Sequence, residues 1–157
     1  ALEEYSGING CFSEGVHRVY KNINVGFAVA QGGDLYVPVV KDAETKSIEA
    51  IADEVRWLTA KVKNGRLEAG DITGGTFTVS NLGVYPVDEF TAIITPGQAA
   101  IIAVGRSEKR MVVDDQDRMT IKECVRVTGS FDHRIVNGAE GAAFLSTVKE
   151  ALEKIRS

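Results

Sequence analysis

Among the ionisable side chains of this sequence, His133 stands in the setting best suited to chemistry. The chain has two histidines, His17 and His133. His133 lies between an alternating β-type run, Val125 to Phe131, and the start of a helical segment. An imidazole titrates near pH ~6.5, so it can take up and return a proton at neutral pH. Side chains alternate along a strand, so an extended Phe131-Asp132-His133 points Asp132 away from His133. A local Asp–His relay is therefore not expected. Asn137 can cap the helix that follows, with Glu140 three residues on, an Asn-headed form of the capping box. Gly138 starts that helix without a clash or lets another backbone approach closely. By these residues alone, His133 fits a structural role as well as a catalytic one.

Ser80 is the second candidate. It closes the β-type run Thr76 to Ser80 and precedes Asn81-Leu82-Gly83, with the pair Gly74-Gly75 leading in. A hydroxyl at the end of a strand can face a cleft, and the same residues also make an ordinary turn. Cys11 and Cys124 lie far apart in sequence. They read as two buried free thiols in a reducing compartment rather than a disulfide. The two histidines are isolated from each other and from the cysteines, so no metal site is expected.

The elements that must position these residues follow from patterning. A chain of 157 residues, 44% hydrophobic and 25% charged, suits one domain around one core. Net charge is −4 and no basic cluster exceeds two residues, which argues against a nucleic-acid partner. No apolar run approaches the ~18 residues of a membrane span, and the acidic start Ala1-Leu2-Glu3-Glu4 is not a signal peptide. The first twenty residues are polar and glycine-spaced, as though the chain begins mid-domain. Asn24 to Ala30 alternates, with Val25, Phe27 and Val29 on one face, and predicts a strand. Leu35 to Val40 predicts a second, on an edge or irregular because of Pro38. Ser47 caps a helix running to Asn64, with Ile48, Ile51, Val55, Leu58 and Val62 as its apolar stripe and Gly65 as its terminator. Gly70 to Gly75 reads as a loop. Phe90 to Thr95 and Gln98 to Arg106 read as strands around the turn Pro96-Gly97. Lys109 to Val113 and Arg118 to Glu123 flank an acidic turn, and Val125 to Phe131 is one more strand. The last helix begins near Gly138, with Phe144, Val148, Leu152 and Ile155 inward. Few crossover helices and many sequential strands predict an α+β two-layer sandwich with a mixed sheet.

Three blocks together resemble one family. They are Asp132-His133-Arg134-Ile135-Val136-Asn137-Gly138, the run Gly74 to Gly83, and the run Phe90 to Gly105. Leu35 to Lys41 and the Ser47 helix match as well. In these the chain resembles the catalytic domain of dihydrolipoamide acyltransferases, the core components of 2-oxo acid dehydrogenase complexes, over nearly its whole length. The Ser-Asn-Leu-Gly wording is more similar to the acetyl-transferring, pyruvate-complex members than to the succinyl-transferring ones.

The resemblance implies a chloramphenicol-acetyltransferase-like fold and a homotrimer with active sites between subunits, which can build a cubic or dodecahedral core with other complex components. It implies acyl transfer between a dihydrolipoyl group, carried on another domain, and coenzyme A. It makes His133 the general base, Ser80 the oxyanion donor and Asn137 a residue that organises the site. Asn81, Gly83, Arg134 and Gly138 become substrate- or cofactor-binding positions. The location it implies is the cytoplasm of a prokaryote or the mitochondrial matrix of a eukaryote. Family catalytic domains carry more chain before the point matching Ala1, so residues 1–157 are expected to be an N-terminally shortened catalytic domain without lipoyl or subunit-binding domains. The alternative is a trimeric scaffold module without activity. A third reading keeps the chemistry and changes the acceptor to a small hydroxyl or amine compound.

Overall fold

A computed structural model describes residues 1–155. The N-terminal segment holds a short 3-10 turn, Ser6–Ile8, and then the hairpin β1 (Gly10–Ser13) and β2 (Val16–Val19). Polar, glycine-rich composition concealed this hairpin in the sequence. Its anchor is Asn9, 2% exposed, whose amide donates to the Tyr20 and Asn22 carbonyls at 3.0 Å each.

The strand predicted over Asn24 to Ala30 is two strands. β3 (Val25–Phe27) joins the central sheet, while β4 (Val29–Gln31) pairs with β5 (Asp34–Tyr36) in a separate hairpin. Gly26, rather than Val25 or Phe27, is the fully buried member of β3, because a Cβ there would stand 2.9 Å from Val37 Cγ1. Pro38 divides the second predicted strand, leaving β6 (Val39–Val40) at the sheet edge. That placement agrees with a residue that cannot donate to a ladder.

Helix α1 spans Ile48–Lys63, and the Ala50 N–H donates to Ser47 Oγ at 3.2 Å. Gly65 follows at φ 63, the left-handed value that ends helices. Leu58 and Val62 are buried, but Ile48, at the head of the predicted stripe, is exposed. Part of the predicted Gly70–Gly75 loop is helical: α2 covers Ala69–Ile72, with Glu68 and Asp71 forming a reciprocal capping box.

β7 (Phe77–Asn81) and β8 (Ala100–Val104) are the central strands. Between them, residues 88–98 form no strand, which corrects the strand predicted over Phe90 to Thr95. This segment is fastened by side chains instead. Ser130 Oγ donates to the Ala92 carbonyl at 2.7 Å, and Thr78, 1% exposed, bonds Thr95 and Gln98 at 3.2 and 2.6 Å. β9 (Glu108–Val113) and β10 (Met119–Cys124) make a ribbon of their own. One of its faces leaves Met111, Val113, Met119 and Ile121 exposed. Cys124, expected buried, is half-exposed on this ribbon; both cysteines are free.

β11 (Val127–Phe131) completes a five-stranded sheet in the order β11-β8-β7-β3-β6. β7 runs parallel to β3 and β8, and the other two pairings are antiparallel. The sheet is thus mixed, as predicted for an α+β sandwich. α3 (Gly138–Ile155) packs beside β11. Of its predicted stripe, Phe144 is buried and Val148 half-buried, whereas Leu152 and Ile155 are exposed. Phe144, 1% exposed, meets Tyr5, Phe77 and Phe131 edge-on at centroid distances of 6.0, 5.8 and 6.1 Å. It joins the N-terminal segment, the sheet and the helix in one cluster. Phe144→Ala is expected to cost about 3–5 kcal/mol of stability, measured as the shift in urea midpoint at unchanged slope.

Candidate active site

The backbone leaves β11 at Phe131, and the Asp132 N–H extends the ladder to the Ala99 carbonyl at 2.8 Å. The chain then turns, with Ile135 and Val136 both donating to the Asp132 carbonyl at 3.0 Å. Val136, 1% exposed, plugs this turn into the core, so the residues around it are held from beneath. Asn137 caps α3 as predicted: its Oδ1 accepts from the Glu140 N–H at 2.9 Å. A Cβ on Gly138 would meet nothing within 4 Å, so this chain's own packing does not require a glycine there.

His133 is exposed, and among the described residues its imidazole makes no hydrogen bond. It lines a cleft of about 420 Å³ together with Ile94 to Gln98, Cys11 and Phe12. That volume lies within the range of about 300–1,000 Å³ usual for small-molecule sites. The neighbours of His133 in sequence are committed elsewhere. Arg134 Nε and Nη2 donate to Asp132 Oδ1 and Oδ2 at 2.9 and 2.6 Å, and the guanidinium stacks 4.5 Å from the centre of the Phe12 ring. Asp132 is therefore paired with arginine, not histidine, as the alternation argument predicted. Arg134, expected to bind substrate, here braces the Asp132 turn against β1.

The Ile94–Gln98 wall is held by Tyr20. Its hydroxyl lies 3.0 Å from the Gly97 carbonyl and 3.2 Å from Cys11 Sγ. The bond with Cys11, then burial, holds the phenol above its ordinary range. The sequence singled out neither Tyr20 nor the coil wall, because nothing in a polar leader signals contacts about 77 positions away.

Ser80 is not in this cleft. It pairs across β7–β8 with Ala103, which pairs across β8–β11 with Thr128. His133 follows Thr128 by five residues, so the two candidates are separated along the sheet by on the order of 15 Å. One chain does not bring them together. Beside Ser80, Asn81 Oδ1 accepts from the Gly83 N–H at 2.7 Å, and Leu82 N–H closes on the Val104 carbonyl at 3.0 Å. Asn81 and Gly83 thus shape the turn after Ser80. A second cleft, about 350 Å³, lies between Tyr20 to Asn24 and Gly74 to Thr76. Among the described residues no group of three or more His, Cys, Asp or Glu is placed to hold a metal ion.

The whole chain, residues 1–157, matches the family described as 2-oxoacid dehydrogenases acyltransferase (catalytic domain), and the chain belongs to that family. It is 43% identical, over 100% of its length and 30% of the relative's, to the mitochondrial Arabidopsis thaliana dihydrolipoyllysine-residue acetyltransferase component 3 of pyruvate dehydrogenase complex. The chain spans about a third of the length of the curated relatives it matches.

Among solved structures it superimposes on a probable dihydrolipoamide acetyltransferase from Listeria monocytogenes with a TM-score of 0.95 at 39% identity, covering 98% of this chain and 65% of that one. It superimposes on the dihydrolipoamide acetyltransferase of Azotobacter vinelandii with a TM-score of 0.94 at 29% identity, covering 99% and 64%. That structure belongs to a study of one serine, one histidine and one asparagine in the catalytic mechanism, the asparagine four positions after the histidine. A cubic core of the pyruvate dehydrogenase multienzyme complex matches with a TM-score of 0.94 at 30% identity, covering 99% of this chain and 64% of that one.

The Arg134 guanidinium holds the Asp132 carboxyl below the usual carboxylate range. A carboxyl whose pKa falls on folding binds fewer protons folded than unfolded. Its contribution is present above the ordinary value of about 3.9 and is lost as pH falls through the lowered folded value. Asp132→Asn is expected to flatten the acid limb of the stability–pH curve below about pH 4, measured by urea unfolding at successive pH values.

Proposed function

We propose that this chain is the catalytic part of a dihydrolipoamide acyltransferase, moving an acetyl group between a dihydrolipoyl thiol and coenzyme A. The observation that carries the reading is the division of labour around His133. Every hydrogen-bonding neighbour in its motif is committed to local structure, while the imidazole is left free at the edge of a cleft.

A thiol is a poor nucleophile until deprotonated. His133 takes the proton of the coenzyme A thiol, and the thiolate attacks the carbonyl carbon of the S-acetyl-dihydrolipoyl thioester. The carbonyl oxygen becomes an oxyanion, which the Ser80 hydroxyl stabilises by donating a hydrogen bond. Collapse breaks the bond to the dihydrolipoyl sulfur, and His133 returns the proton to that sulfur. Acetyl is transferred, one thiol is consumed and one released, with no covalent enzyme intermediate. Asn137 keeps the helix start in place behind His133 and presents its amide N–H groups at the same turn. Asn81 and Gly83 fix the turn after Ser80. Arg134 fixes the one before Val136, and Gly138 leaves room for a neighbouring backbone or ligand.

Ser80 and His133 must then come from different copies. The separation along the sheet supports a homotrimer with its sites between subunits, able to enter a larger cubic or dodecahedral core with the other components of a 2-oxo acid dehydrogenase complex. The exposed apolar face of the β9–β10 ribbon supports assembly too, since an isolated two-stranded ribbon is at best marginally stable. The location that fits this role is the bacterial cytoplasm or the mitochondrial matrix.

Assay of acetyl transfer from acetyl-coenzyme A to dihydrolipoamide tests the mechanism. His133→Ala is expected to lower kcat by roughly 10²–10⁴, and Ser80→Ala by roughly 10²–10³. Oligomers assembled from a mixture of the two variants are expected to regain activity, because some interfaces then pair an intact Ser80 with an intact His133. Wild-type turnover in His133→Ala overturns the base assignment. Failure of complementation in intact mixed oligomers overturns the shared site. A trimer without turnover in the wild-type protein leaves the scaffold reading.

A further inference from the structure

We propose that Tyr20 is a positioning residue for the transfer: its hydroxyl, through the Gly97 carbonyl, sets the Ile94–Gln98 wall of the cleft that His133 also lines. The inference rests on the acyl-transfer reading above. The wall needs such a device because residues 88–98 have no strand ladder to hold them, although they lie between well-ordered sheet positions. Thr78 holds Thr95 and Gln98 from below, and Ser130 holds Ala92. Gly97, at φ 83 and at the turn of the wall, is reached by the Tyr20 hydroxyl at 3.0 Å.

That hydroxyl has one proton and two neighbours. The Gly97 carbonyl can only accept, whereas the Cys11 thiol can donate as well. The hydroxyl stands within donating distance of both, 3.0 Å from the Gly97 carbonyl and 3.2 Å from Cys11 Sγ. Cys11 lines the cleft with His133, as Gly97 does, so this hydroxyl joins two of its lining residues.

Tyr20 is itself rigidly mounted. Its backbone N–H donates to the Asn9 carbonyl at 2.8 Å, and its carbonyl accepts from the Asn9 amide at 3.0 Å. Asn9 is buried beneath the hairpin. Tyr20 is not among the residues lining the His133 cleft, so it acts on a substrate only through Gly97 and Cys11. A wall displaced by about 1 Å weakens its contacts with a bound thiol substrate in ground state and transition state alike, which raises KM and leaves kcat.

The test is Tyr20→Phe in the full-length protein, which removes the hydroxyl and keeps the ring. Transfer is assayed with acetyl-coenzyme A and dihydrolipoamide, and amide hydrogen exchange is followed across Ile94 to Gln98. The expected result is a rise of about 5- to 10-fold in KM for one thiol substrate, with kcat within about 2-fold and its pH profile unchanged. Exchange at Gly97 and Gln98 is expected to quicken, while α1 keeps wild-type rates. A wild-type KM with wild-type exchange overturns the proposal. So does a fall in kcat with a shifted pH profile, which would place Tyr20 at the reacting atoms. Absence of turnover in the wild-type protein refutes the transfer reading and not the mounting of the wall, which the exchange measurement reads independently.

Discussion

The shared register of β8 with both of its neighbours is the constraint on which the site depends. Ala103 pairs with Ser80 on one side and with Thr128 on the other, and Ala100 pairs with Phe131. A ladder fixes residues to within a fraction of a residue step, because a slip of one would turn every buried side chain of β7 or β11 to the opposite face. β8 cannot slip: Ala100 to Ala103 are all nearly inaccessible, packed on both faces. Ser80 and His133 are therefore held by the same rigid strand and kept apart by it. A loop-borne serine could swing toward the histidine. This one sits on a strand, and in the proposed mechanism that is why a second copy of the chain completes the pair.

The aromatic cluster under the site extends this constraint to the histidine turn. Phe131 is the last residue of β11, and its ring lies against Phe144 and against the faces of two glycines. A Cβ on Gly129 would stand 2.6 Å from Phe131 Cε2, and one on Gly141 would stand 3.0 Å from the same atom. The Phe131 ring thus fills the space between α3 and β11, and no room is left for a side chain at either glycine. The turn carrying Asp132, His133 and Arg134 spans that short gap. It is held at one end by the ladder, at the other by the Asn137 cap, and sideways by Arg134 on Phe12. A general base gains from being held in place, and in the proposed mechanism these three attachments do that for the turn carrying His133.

Features set by one residue and its near neighbours were legible in the sequence. Ser47 and Asn137 cap their helices where side-chain oxygen and spacing said they would. Pro38 breaks a strand at an edge, and the β9 and β10 limits fall within a residue of the patterning. The alternation at Phe131 correctly separated Asp132 from His133. What failed depended on distant partners. Phe90 to Thr95 has strand-like composition, yet it joins no ladder. Ser130 Oγ holds its Ala92 carbonyl and Thr78 its Thr95 hydroxyl instead. The N-terminal hairpin is assembled by Asn9 and Tyr20, polar residues that no hydrophobic period reveals. Val29 belongs to a different sheet from Val25 although the alternation runs through both. Propensity records what a pleated surface would accept, and the sheet decides which segments receive a place on it.

The motif residues also divide in a way that the sequence alone does not show. Asp132 and Arg134 neutralise each other, Asn137 Oδ1 is consumed by a helix N–H, and Asn81 Oδ1 by the Gly83 N–H. Among the described residues, the His133 imidazole and the Ser80 hydroxyl have no such commitment. An imidazole or hydroxyl without an internal partner can meet a thiol or an oxyanion without first breaking a bond, which would add to the barrier. The remaining motif members then serve by being fully engaged: each removes a rotamer or a turn conformation that would let the two free groups drift. A motif containing an Asp-His sequence without an Asp–His bond is the natural form of such a site. Here the acid orients the loop through arginine, and in the proposed mechanism the histidine stays unpaired for its substrate.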